Sequence, residues 1–158
     1  MKLPIASLAL AITLASQTQA QPIMADGQAS GQSRTEVIEL GADHRILNTR
    51  VEYVKMEMAS ETNPMNQLSG PCFGVVEVRG GAAEGGGVCA FNGLEGDTVL
   101  LGWVARRVDP RGRMAGYWTV NYGTGLYLKA SGGGAFLSET NPANGTATNT
   151  FTGAIALR

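Results

Sequence analysis

The chain has 158 residues, with 12 basic and 13 acidic side chains, a net charge of −1 and 44 % hydrophobic residues. That balance lacks the basic footprint that nucleic-acid binding needs, and the length suits one domain with its own core. A single histidine and two cysteines leave little material for metal or nucleophilic chemistry.

Residues 1–20 have the three parts of a secretory signal. Lys2 gives the positive start, Ile5 to Ala15 is an apolar run, and Thr18-Gln19-Ala20 places small residues where a signal peptidase reads. The run is too short for a membrane span, which takes about 20 apolar residues. Cleavage after Ala20 predicts a periplasmic or secreted protein without a membrane span.

Residues 21–35 are polar and poor in large apolar side chains, and read as a flexible leader. From residue 36 to 158, short apolar stretches alternate with turns rich in Gly, Asn, Asp and Pro, the pattern of a β meander. Over 45–60, Leu47, Val51, Val54 and Met58 fall at helical spacing. Thr49, Val51, Tyr53 and Val54 favour a strand instead, and the balance tips to strand. Ser-Glu-Thr-Asn-Pro occurs at Ser60 to Pro64 and again at Ser138 to Pro142, each a turn because Asn before Pro disfavours helix.

Phe73 to Val78 and Val88 to Phe91 read as paired strands joined through a glycine-rich segment. That hairpin brings Cys72 and Cys89 together, and an even pair in an exported chain predicts one disulfide. In Thr98 to Val108, Val99, Leu101 and Trp103 share a face. Asp109-Pro110-Arg111-Gly112 makes the next turn, so the arginines around it form a solvated hairpin tip. Met114 to Tyr122 puts Met114, Trp118, Val120 and Tyr122 on one face, and Phe151, Gly153, Ile155 and Leu157 alternate to the end. The twenty-two glycines interleave with large apolar residues, as the sharp bends of a closed barrel require.

No arrangement of residues specifies catalysis. His44 sits between Asp43 and Arg45 without a companion ligand, which argues against a Ser-His-Asp triad and a histidine metal site. Glu95 and Asp97 lack the further oxygen ligands of a calcium loop. Gly123-x-Gly125 lacks the third glycine and the strand-then-helix frame of a dinucleotide loop. Glu52 or Glu77 would gain acid character only by pointing inward from its strand. The sequence therefore implies no metal and no cofactor.

Several motifs carry a family resemblance. They are Gly87-Val88-Cys89-Ala90-Phe91, Gly96-Asp97-Thr98-Val99 with Trp103, and Gly123-Thr124-Gly125-Leu126-Tyr127 followed by Ser131-Gly132-Gly133-Gly134 and Phe136. From Gly85 onward the chain resembles the allene oxide cyclase and dirigent-protein barrel family, in its bacterial branch. The resemblance implies an all-β antiparallel barrel of about eight strands, narrow enough to hold side chains or one small ligand. It also implies an apolar cavity, which in relatives cyclises a fatty-acid epoxide or orients phenoxy radicals, and a homo-oligomer, commonly a trimer. No catalytic residue of the relatives maps onto a matching motif here.

Three functions fit: a barrel that binds a small apolar molecule without chemistry, a cyclase- or isomerase-type enzyme, or a filled-barrel structural or interaction module. The lack of a catalytic constellation favours the first. Phe91, Trp103, Trp118 and Tyr122 are the side chains expected to line its ligand site.

Overall fold

The computed structural model describes residues 21–158, so the expected export signal lies outside the described residues. The strands are β1 (Ile23–Met24), β2 (Gly27–Gly41), β3 (His44–Met58), β4 (Gly70–Arg79), β5 (Ala82–Asn92), β6 (Thr98–Val108), β7 (Met114–Gly123), β8 (Ser131–Thr140) and β9 (Thr146–Ala156). From β2 to β9 each strand pairs antiparallel with the next, and β9 also pairs with β2, which closes an eight-stranded barrel. The short β1 continues the line of β2 along β9. Among the described residues there is no α-helix, and none long and apolar enough to cross a membrane.

Segment 45–60 is β-structure, and its helical spacing has a local cause. Tyr53 pairs with Gly31 and Lys55 with Ser30, so Val54 is an extra residue in a bulge. A bulge reverses the inside–outside alternation, and Val54 points to solvent while Val51, Tyr53, Met56 and Met58 are buried.

The leader expected over 21–35 is overturned. Most of it belongs to β2, which pairs with β3 throughout and with β9 from Gly27 to Gln32. Its inner face carries Ala29, Gly31 and Ser33, so the alternation is small against polar rather than apolar against polar. At Gly31 a β-carbon would run into the Glu52 carbonyl of β3, so the strands can approach there only at glycine. The described strands begin at Ile23.

One end of the barrel is packed shut. Ala25, Met65, Leu68, Val99, Tyr127 and Ile155 are almost wholly buried there. Tyr127 comes from the turn Gly125–Tyr127 and donates its hydroxyl to the Pro64 carbonyl at 2.6 Å, which ties the Gly-Thr-Gly-x-Tyr motif to the first Asn-Pro turn. In that turn Asn63 is buried, donating to the Met24 carbonyl and accepting from the Met65 amide. In the second copy, Asn141 accepts from the Ala143 amide.

Burial, helped by the Asp97 charge, pushes Tyr127 up to about 12. The unfolded chain loses this proton first, near the ordinary value of 10. Stability is therefore full below pH 10 and falls as pH rises toward 12. Urea unfolding across that window should show the fall in the wild type and a flatter profile in Tyr127→Phe, with the remaining slope contributed by Tyr53. The variant should also lose about 1–3 kcal/mol at neutral pH, because the Pro64 carbonyl is left unpaired.

Candidate functional site

The other half of the barrel is not filled. A cavity of about 490 Å³ runs from the closed end to a mouth at Val37, Gly112, Pro142 and Gly145. This volume falls in the range of roughly 300–1,000 Å³ typical of small-molecule sites.

Two tryptophans dominate its wall, and glycines make room for both. Along one row of paired residues, Gly74 and Gly87 precede Trp103, and Trp118 is followed by Gly134 and Gly153. The Trp103 ring occupies the space where a Gly74 side chain would stand. Trp118 reaches over β8 and donates its indole N–H to the Thr152 carbonyl of β9 at 3.2 Å. Each indole meets a phenyl ring edge-on, Trp103 with Phe136 at 6.0 Å and Trp118 with Phe151 at 6.4 Å. Phe91 packs against Tyr53 at 6.1 Å.

The wall is also polar in places: Ser33, Thr35 and Thr49 carry linked hydroxyls, and a separate group surrounds Tyr53. Tyr53, on β3, extends past Gly31 and Ala29 of β2 to face Ser138 of β8 and Asn149 of β9. Ser138 and Asn149 are direct cross-strand partners, and both line the cavity. Burial raises the Tyr53 hydroxyl above its ordinary pKa, and hydrogen bonding from Ser138 and Asn149 opposes that rise. Asn149 Oδ1 is buried without a hydrogen-bond partner among the described residues.

The barrel can be compared with known architectures. Two pterocarpan synthase dirigent proteins superpose on it. For GePTS1 the TM-score is 0.52 at 12 % identity, covering 96 % of this chain and all of that one. For PsPTS1 it is 0.52 at 10 % identity, covering 89 % and 97 %. The fold is that of the dirigent proteins. No family model and no curated protein matches the sequence.

Within this dirigent-type barrel, Phe91, Trp103 and Trp118 come together on the cavity wall. Tyr122 does not join them. Leu101 pairs with Val120 and Leu100 with Tyr122, so Asn121 is an extra residue in a second bulge. Beyond it the alternation inverts, and Tyr122 is left 59 % exposed on the outside. The placement of Tyr122 in the ligand site is corrected accordingly.

Cys72 and Cys89 are direct cross-strand partners and form a disulfide on the cavity side of the hairpin. His44 pairs with Glu77 through Nε2 at 2.7 Å at the partly exposed surface, and Arg79 joins them. His44 and Arg79 hold the Glu77 carboxyl below its usual range. Neither Glu52 nor Glu77 lines the cavity. Asp109 closes the arginine-rich hairpin by accepting from the Arg111 and Arg113 amides and from the Arg113 side chain. Asp97 accepts the Leu126 amide rather than joining a calcium loop.

Sequence reasoning passed over Tyr53, Ser138 and Asn149 as site residues. The available signal was Asn149 itself, a polar residue on the face shared by Ala147, Phe151 and Ile155.

Proposed function

We propose that this is an exported barrel protein that binds one small apolar molecule in its cavity and performs no chemistry on it. The supporting observation is a large cavity walled by Phe91, Trp103, Trp118, Phe136 and Phe151, whose polar side-chain groups are hydroxyls, one amide and the two indole N–H groups. Side chains that have to move protons at neutral pH need pKa values near 7. The one titratable group on this wall, Tyr53, is raised still further from that range. Export is supported by the signal-like residues 1–20 and by the disulfide, a bond that persists in oxidising compartments.

The test is binding of apolar probes to the purified mature protein, read by tryptophan emission and melting temperature. Terpene, phenolic or long-chain probes should shift emission and raise the melting temperature by mass action. Native mass spectrometry of protein purified from its own periplasm should carry the bound molecule. Silence from every probe would reject the reading.

A second reading, self-association, is supported by the outer surface. Val75, Gly86, Val104 and Tyr117 are successive cross-strand partners, and the three large side chains are about half exposed. A contiguous exposed apolar row of this kind supports a contact between copies of the chain. Light scattering that reports a monomer at micromolar concentration would reject it.

A further inference from the structure

The cavity wall also restricts the kind of molecule it would take. Among the described residues, the side chains lining it include no Lys, Arg, His, Asp or Glu. The nearby arginines are already committed elsewhere or lie outside. Arg113 pairs with Asp109 at 2.8 Å, and Arg50 lies over the Phe73 ring outside the barrel. A carboxylate drawn into this space would lose its water and find no cation, a cost that ordinarily makes the group take up a proton or stay out.

The polar group around Tyr53 adds a second restriction, because the Ser33, Thr35 and Thr49 hydroxyls already pair with one another. A buried amide oxygen without a donor is an unmet hydrogen-bonding demand, and such groups are uncommon in folded proteins. Asn149 Oδ1 is in that condition, beside the Ser138 hydroxyl and the Tyr53 hydroxyl. A ligand hydroxyl has both functions needed there, since it donates to the amide oxygen and accepts from Ser138 or Tyr53. An ether or ester oxygen would meet only the second.

We infer that the cavity selects neutral apolar molecules carrying a hydroxyl group, which docks at Asn149, Ser138 and Tyr53, and that it rejects carboxylates. This inference rests on the binding reading above and specifies the ligand class for the same site.

Three probes with a ten-carbon chain separate these effects at pH 8: 1-decanol and methyl decanoate below their solubility limits, and sodium decanoate below its micellar concentration. Tryptophan emission and melting temperature should rank them alcohol, ester, acid. Loss of the donor should weaken the ester about three- to tenfold, the scale of one hydrogen bond. The unpaired charge should weaken the acid at least about a hundredfold. Asn149→Leu, of similar volume, should bring alcohol and ester to equal affinity while the acid remains excluded. Decanoate binding as tightly as decanol overturns the inference and leaves the binding reading intact. Equal affinity of alcohol and ester for the wild type overturns the role of Asn149. Should Asn149→Leu fail to fold, the wild-type ranking alone decides. If none of the three binds, the inference falls, and the terpene and phenolic probes above decide the binding reading.

Discussion

Trp118→Ala should lower the unfolding free energy by about 3–5 kcal/mol, the cost of truncating a large buried aromatic. Trp118 is 5 % exposed and joins three strands, rising from β7, crossing β8 over Gly134 and bonding to the Thr152 carbonyl of β9. Alanine removes the packing against Phe151 and leaves that carbonyl to find another donor. Trp103→Ala should cost less, because Trp103 is only partly buried and one side of it faces the cavity. Urea unfolding of both variants, with Trp→Phe controls that keep most of the packing, measures the difference. Equal losses at the two positions would mean that the cavity is filled in solution and that Trp103 is core.

Loss of the disulfide is the second large effect. Replacing Cys72 and Cys89 together should cost about 2–5 kcal/mol, the usual cost of removing the disulfide of a small domain. The bond closes a loop of 17 positions, worth about 3 kcal/mol in the chain-entropy model. Because both sulfurs face the cavity, the paired alanine variant is the cleaner one, since serine would add two hydroxyls to an apolar wall. Alkylation of the unreduced native protein should label neither cysteine, and quantitative labelling of both would overturn the bond.

The sequence was most legible where apolar alternation was unbroken. Val99, Leu101 and Trp103 face inward as expected, and the hairpin of β4 and β5 brings Cys72 and Cys89 together as expected. It was least legible at bulges. One additional residue, Val54 or Asn121, reverses which side every later residue faces, and neither bulge has a local sequence mark. Tyr122 was misplaced for that reason. The inner face of β2 was hidden differently, since Ala29, Gly31 and Ser33 leave space for Tyr53 instead of filling it. Small residues opposite a large one are a packing signal, but only after the strands are known to be neighbours. The polar group around Tyr53 was invisible for the same reason, being assembled from β3, β8 and β9.

The last strand, β9, has a consequence for how the chain reaches this state. It pairs with β1, β2 and β8, and its contacts with β1 and β2 join residues more than a hundred positions apart. Loop-closure entropy must be met before those contacts repay it, so closure is a slow, late event. Until β9 arrives, β2 and β8 both present open hydrogen-bonding edges, which invite pairing with other chains. A chain still emerging from the ribosome therefore stays open and unable to finish folding. Deleting β9 should leave β2 and β8 as open edges and turn a closed barrel into an aggregating chain.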